Sequence, residues 1–275
     1  MRSKLFVPGA RPDFFDKALA GGADALSFDL EDSVPEAGKP DARERLAEFL
    51  RSDRVAVSDK VLIVRINALD TPHARDDLRA LSDFADRLTI NVPKVEDAET
   101  VRAVTRLTDA RLLLNIETPR GLRQAAGIAA AHPHVAGLQI GMNDLFASLG
   151  CHREQREAVH SVLWQVRLAA GEAGCFAYDG AWPDLTDNAG FRTEAEHARS
   201  LGYLGKSCIH PRQVPIANDV FDRTVRAASA RRLLDAAAKA DAEGRGAFLF
   251  DGKMVDRPAI EEARAILRSA GRVKQ

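Results

Sequence analysis

The sequence predicts an α/β fold, a (β/α)8 barrel of the TIM type with a C-terminal helical and hairpin lid extension. Three observations lead there. Short apolar runs at residues 4–7, 25–30, 61–66, 88–92, 112–116, 135–140, 175–178 and 204–209 alternate with helical patterns such as 11–20, 41–51, 97–107, 153–173 and 193–201. Eight βα units of this length predict a parallel sheet that closes on itself. The alternative, an open doubly wound sheet, calls for G-x-G-x-x-G after the first run, and the chain reads KLFVPGARPDFF there. Finally, the runs end in charged and amide residues, which is where a barrel gathers its chemistry.

Taken in order, the first run stops at Pro8, and the second, ALSFDL, carries Asp29 and leads into Glu31 and Asp32. The third, VLIVRIN, ends in Arg65 and Asn67, and the fourth in Lys94. The fifth lies in RLLLNIETPRG, where the apolar segment breaks at Glu117. Thr118, Pro119 and Gly121 then supply a helix start, with a capping hydroxyl and a proline suited to the first turn. The sixth run ends in Asn143 and Asp144, the seventh in Asp179, the eighth in Lys206 and His210. Val159, Val162, Leu163 and Val166 stand at helical spacing and predict a core-facing stripe. Beyond the eighth run, residues 211–239 read as helix rich in alanine and arginine. Asp251-Gly252 between FLF and KMV predicts a tight hairpin, and 258–267 a last amphipathic helix. The expected division is a barrel catalytic domain at 1–226 and a lid or oligomerisation extension at 227–275.

Composition narrows the class. A chain of 275 residues, 45% hydrophobic and 6% aromatic, buries a large aliphatic core. With 39 basic and 40 acidic residues, a net charge of −1 gives no bulk attraction for nucleic acid or an anionic membrane. Cys151, Cys175 and Cys208 are far apart and in no zinc spacing, which suits reduced thiols in a cytoplasmic protein. No apolar stretch reaches the roughly 18 residues of a membrane span, and the run before Pro8 is too short for a signal peptide.

Each strand-end residue has two readings. Glu117 is a metal ligand or a counter-charge to the helix that follows it. Asp144, about one βα unit further on, shares a hard divalent ion with Glu117 or caps the helix beginning near Leu145. Arg65 binds a substrate carboxylate or an enolate oxygen, or forms an ion pair with Asp29, Glu31 and Asp32, and both can hold together. Those three carboxylates are read as groups that orient Arg65 and metal-bound water. Lys94 and Lys206 raise the rival of a Schiff-base lysine, and otherwise read as ion-paired or phosphate-binding. Arg2, Lys4 and Arg11 are basic residues placed to meet phosphates near the mouth. Asp256 is a helix cap or, if the extension reaches a barrel mouth, an acid/base.

The motifs SKLFVPGARP, DALSFDLEDSV, VRIN, VPKVED, ETPRG, IGMNDLFASLG and GKSCIHPRQV, with GRGAFLFDGKMVD in the extension, resemble one family. The chain is similar to the citrate lyase β-subunit-like proteins of the aldolase/citrate lyase family, which includes malyl-CoA and citramalyl-CoA lyases. That resemblance implies a TIM barrel in a homo-oligomer, a trimer or multiple of trimers. It implies Mg2+ at Glu117 and Asp144 and substrate binding by Arg65; with these, Asn143 at the end of the sixth run is expected among the substrate-binding residues Arg65, Glu117, Asn143 and Asp144. Asp256 matches a lid aspartate that serves as acid/base and in related lyases reaches a neighbouring subunit. The implied activity is retro-Claisen cleavage of a 3-hydroxyacyl thioester of coenzyme A or an acyl carrier protein. The sequence departs from the pattern at the proline of ETPRG, where alanine is common, and the alanine of PGARP, where asparagine is common. GMNDL also resembles the metal-dependent pyruvate aldolases, so an aldolase on free hydroxy-oxo acids and a non-catalytic lyase subunit stand as alternatives.

Overall fold

The computed structural model describes residues 1–244 and 246–271. Arg245, in the expected GRGAFLF run, and residues 272–275 of the expected extension lie outside the described residues. The chain forms two units, Met1–Phe221 and Asp222–Gln275.

The first unit is built on eight parallel strands: β1 (Ser3–Pro8), β2 (Ala25–Asp29), β3 (Val61–Arg65), β4 (Leu88–Val92), β5 (Arg111–Ile116), β6 (Val135–Ile140), β7 (Phe176–Tyr178) and β8 (Lys206–Cys208). They run in the spatial order β7-β6-β5-β4-β3-β2-β1-β8. The two outer strands meet through the parallel bridge Asp179↔Lys206. Backbone hydrogen bonds from Leu204 N to Ala177 O (2.9 Å), Asp179 N to Gly205 O (3.0 Å) and Ser207 N to Asp179 O (3.0 Å) extend that seam. Eight strands with helices around them make the α/β barrel that the alternation of runs predicts.

The apolar runs are nearly continuous because each strand is covered on both faces. One set of side chains, including Leu5, Phe28, Val64, Leu112, Leu114 and Leu138, packs against helix residues such as Leu46, Leu78, Val101 and Leu163 in the main core. The alternate set turns into the barrel. Ala25, Ile63, Leu113 and Tyr178 form a small apolar cluster there. Two residues further along each strand, on the same face, the interior becomes polar. Ser27, Asn91, Asn115 and Gln139 are all buried. Another two residues bring Asp29 and Glu117 to the strand ends.

The last two strands are shorter than the runs at 175–178 and 204–209 suggest, because a buried ion cluster takes over at their ends. Lys206, with 0% exposure, donates to Asp179 Oδ2 and Glu194 Oε1, each at 2.6 Å, and to Gly180 O at 3.2 Å. Arg153 clamps Glu194 through Nε (2.8 Å) and Nη2 (2.6 Å), and its guanidinium lies 5.1 Å from the Trp182 ring centroid. That duty draws Arg153 out of the expected helix at 153–173, which begins at Arg156 and runs to Glu172. Glu194 comes from the helix Asn188–Ser200, capped by Asp187 accepting from Gly190 N.

In the second unit, the helix Thr224–Ala242, a hairpin of β9 (Phe248–Phe250) and β10 (Lys253–Val255), and the helix Arg257–Gly271 surround a small core of Ala240, Phe248 and Val255. The turn is the expected Asp251-Gly252, both with positive φ (46° and 76°), as a two-residue hairpin loop demands. None of the described helices is long and apolar enough to cross a membrane.

The seam yields a stability prediction. Lys206→Met leaves Asp179 a buried carboxylate without its cation and should cost about 3–5 kcal/mol. Urea denaturation checks this, and an unchanged midpoint would show that the cluster does not hold the barrel closed.

Candidate active site

A pocket of about 400 Å3 opens at the C-terminal ends of the strands, and Arg65, Asn115, Glu117, Gln139, Asn143 and Asp144 are among its walls. The strand register assembles it. Asp29 pairs with Arg65, and Arg65 with Asn91, while Asn115 pairs with Gln139. The structure therefore brings together the residues predicted from β2, β3, β5 and the loop after β6.

Glu117, 3% exposed, directly follows β5. It does not serve the helix after it, because Thr118 caps Pro119–Arg123 by accepting from Gly121 N at 3.0 Å. Instead Glu117 Oε1 accepts the backbone N–H of Lys94 at 2.6 Å, and Oε2 accepts from Asn115 Nδ2 at 3.3 Å. Lys94 reaches it from a left-handed backbone with φ 51°, a conformation that costs an L-residue about 1 kcal/mol. Such strain persists where the surroundings impose it. Asn91 extends the chain of amides, donating to Asn115 Oδ1 at 2.9 Å. Gly141 is needed opposite, since any Cβ at 141 would collide with the Glu117 carboxylate. Burial pushes the Glu117 carboxyl up to about 7; the Lys94 N–H opposes this, and the negative charges of Glu31 and Asp144 add to it.

Asp144 is exposed, in the first turn of the helix Met142–Leu149. That helix has no side-chain cap, so Asp144 is not spent on capping. Asn143 beside it accepts from Arg153 Nη1, which ties the rim to the ion cluster of the seam.

Arg65 is held from three sides. Asp29 grips it as a fork, at 2.7 Å to Nε and 2.8 Å to Nη2, while Nη1 faces Glu31 at 3.0 Å and Asp32 at 3.2 Å. Burial alone would raise the Asp29 carboxyl; the Arg65 hydrogen bonds and charge outweigh it and hold the group below its ordinary value. Both readings of Arg65 hold in geometry: it is ion-paired, and it lines the pocket. Glu31 also pairs with Lys94 Nζ at 3.0 Å, and its carboxyl is raised by burial.

The ion-paired reading of Lys94 and Lys206 holds, at the expense of the Schiff-base rival. Lys206 has its three donors engaged, and Asp179 and Glu194 outweigh burial to raise its pKa. Lys94 is likewise raised, by its bond to Glu31. A Schiff-base lysine needs the opposite shift. The phosphate-binding expectation for Arg2 and Lys4 also fails on position. Arg2 is bound to Asp24, at the entry to β2 and hence the far end of the barrel, and Lys4 is fully buried.

Asn91, Asn115, Gln139 and the Lys94 backbone are site features that strand-end reasoning passes over. A signal for the amides exists, in INV, LNI and LQI at residues 90–92, 114–116 and 138–140 on three neighbouring strands. Asp256 belongs to the second unit, exposed between β10 and the last helix. Among the described residues its carboxylate accepts no hydrogen bond; its backbone carbonyl accepts from Ile260 N at 3.1 Å.

With oxygen donors, no His or Cys among the pocket walls, and the Asp144 charge adding to the raised proton affinity of Glu117, the rim fits a hard divalent cation. Among the described residues no three His, Cys, Asp or Glu side chains form a metal cluster. Magnesium needs only one or two protein carboxylates.

Comparison with known proteins matches residues 2–211 to the HpcH/HpaI aldolase/citrate lyase family. The L-malyl-CoA/beta-methylmalyl-CoA lyase of Rhodobacter capsulatus is 37% identical over 305 residues, spanning 99% of this chain and 95% of that protein. The (3S)-malyl-CoA thioesterase of Cereibacter sphaeroides is 38% identical over 273 residues, spanning 98% and 94%. Among solved structures, the protein CitE from Mycobacterium tuberculosis in complex with magnesium, acetoacetate and coenzyme A aligns with a TM-score of 0.78 at 37% identity, covering 98% of this chain and 100% of that one. The chain belongs to the HpcH/HpaI aldolase/citrate lyase family.

Proposed function

We propose that the protein is a magnesium-dependent carbon–carbon lyase that cleaves a 3-hydroxyacyl-CoA thioester, of the malyl, citramalyl or citryl type, to an acyl thioester and a 2-oxo acid. The observation that carries this reading is the pair Glu117 and Asp144 at one pocket rim with Arg65, fixed by Asp29, beside it. The lyase and CitE relatives support both the thioester and the metal.

On this reading Glu117 and Asp144 hold the ion. Bound there, magnesium supplies a Lewis acid for the substrate's hydroxyl and carboxylate oxygens. In the reaction the 3-hydroxyl gives its proton to water at the open rim, the bond between the carbinol carbon and the thioester α-carbon breaks, the alkoxide becomes the carbonyl of the 2-oxo acid, and the electron pair of the broken bond passes to the thioester as an enolate. Arg65 stabilises the enolate oxygen, and Asp29, Glu31 and Asp32 keep its guanidinium in place so that little reorganisation is needed. Asn115 and the Lys94 N–H fix the Glu117 carboxylate. Asn143 contacts substrate at the rim. Asp256, on the extension at 227–275, delivers the proton to the α-carbon, or removes it in condensation. We further place the protein in the cytoplasm as a homotrimer or multiple, with Asp256 acting in its own or a neighbouring subunit.

The similarity to a thioesterase makes hydrolysis the second reading, and products separate the two. Malyl-CoA, citramalyl-CoA and citryl-CoA should each be tested with magnesium. Lyase action yields a 2-oxo acid and an acyl-CoA; hydrolysis yields a hydroxy acid and free coenzyme A. We expect the first for at least one thioester, with loss of activity in EDTA and no trapping by borohydride. Cleavage of none would sink the proposal. Asp256→Ala should lose about 10²–10⁴-fold in turnover, as for a general acid/base, while keeping thioester and metal binding. Full turnover in that variant removes Asp256 from the mechanism.

A further inference from the structure

Lys4 is fully buried on β1, and the chemistry above leaves it without a task. Its Nζ donates to Gln139 Oε1 on β6 and lies 4.2 Å from the Phe6 ring centroid and 5.7 Å from that of Tyr178. No carboxylate pairs with it among the described residues. Other buried lysines are treated differently. Lys206 is neutralised by Asp179 and Glu194, and Lys39 is bound by Leu30 O, Glu31 O and Asn67 Oδ1. Burial pulls the pKa of Lys4 well down and the nearby Arg65 charge adds to that, outweighing the opposing charges of Asp29 and Glu117. A cation with one neutral hydrogen-bond partner is costly to bury, and an apolar residue of similar length would make the more stable barrel. Stability therefore does not account for a lysine at this position.

Gln139 connects Lys4 to the pocket. Lys4 Nζ takes the carbonyl end of the Gln139 amide, which leaves the NH2 end for the pocket that Gln139 lines with Phe6, Asn115 and Glu117. Asn115, its partner in register, is already engaged between Asn91 and Glu117. Gln139 lies on β6 two residues before Gly141, one layer below the proposed metal-binding rim, so its amide is a floor group. A coenzyme A arm has to leave through the open mouth, which assigns the floor to the oxo-acid half of the substrate.

We propose that Lys4 and Gln139 form the specificity floor of the pocket, with Gln139 Nε2 donating to an oxygen of the 2-oxo acid and Lys4 as the positioning residue that keeps the donor end turned toward it. The class selected is an oxo acid that presents a carboxylate or carbonyl oxygen to the floor, against one that presents a methyl group. This inference rests on the lyase reading.

The test runs the condensation direction with acetyl-CoA, magnesium, and glyoxylate, pyruvate or oxaloacetate, in wild type, Lys4→Met, Gln139→Glu, Gln139→Met and the double Met variant. Gln139→Glu keeps a partner for Lys4 and removes the donor. Each single variant should raise KM for the preferred oxo acid about five- to ten-fold, the effect of one lost hydrogen bond, with KM for acetyl-CoA unchanged. The double variant should be no worse than the singles, and Lys4→Met should melt no lower than wild type. An unchanged oxo-acid KM, or a loss that follows a fall in melting temperature, overturns the proposal. Calorimetry of the same oxo acids on the magnesium-loaded proteins separates it from the lyase reading. If wild type binds an oxo acid without turnover, the lyase reading fails while weaker binding in the variants still supports the floor, and equal binding overturns it.

Discussion

A carboxylate buried at the end of a barrel strand has to be compensated, and Glu117 is compensated only in part. One backbone N–H and one weak amide contact hold it, and its neighbours Glu31 and Asp144 add negative charge. Around this rim stand the carboxylates of Asp29, Glu31, Asp32, Glu117 and Asp144. Arg65 and Lys94 at the same level are already engaged by the β2 carboxylates, and Lys39 by the carbonyls of Leu30 and Glu31 and by Asn67. The rest of the site follows from this excess. The strained Lys94 backbone, the absence of a side chain at Gly141 and the Asn91–Asn115 amide chain all fix the position of one carboxylate instead of neutralising it. Geometry of that kind is wasted in a merely structural group and useful in a ligand.

Arg65 shows how the barrel resolves a second conflict. An arginine free to swing would be a poor partner for developing charge, because reorganising it takes up part of the stabilisation it offers. The fork to Asp29 and the contacts of Nη1 with Glu31 and Asp32 immobilise it before substrate arrives. Because Asp29 and Arg65 are direct partners in the β2–β3 register, this immobilisation is a property of the sheet.

Much of this was legible in the sequence, for physical reasons. A polar residue that ends an apolar run in a βα unit points to the C-terminal rim, which places Asp29, Arg65, Glu117 and Asp144 together without any coordinates. The hairpin was legible because two positive φ angles in a row are written into Asp251-Gly252. What escaped is what depends on facing and closure. Period-2 alternation inside strands covered on both sides is masked by their overall hydrophobicity, so Asn91, Asn115 and Gln139 read as lapses in otherwise apolar runs. Lys4 and Arg2 read as basic residues placed to meet phosphates near the mouth, yet Lys4 stands low on β1 and Arg2 precedes it. The ion-paired reading of Lys206 holds, but its partners could not be named from the sequence, because Asp179 and Glu194 come from β7's end and a later helix, a proximity that only barrel closure creates.

On the proposed function, Glu117 and Asp144 together hold one divalent cation on which the site is built. Equilibrium dialysis of metal-depleted protein against Mn2+, a spectroscopically visible stand-in for magnesium, tests it directly. One ion per chain is expected in the wild type, lost in both Glu117→Gln and Asp144→Asn while the circular dichroism of the barrel is unchanged. A single stoichiometric site that survives in either variant would contradict it.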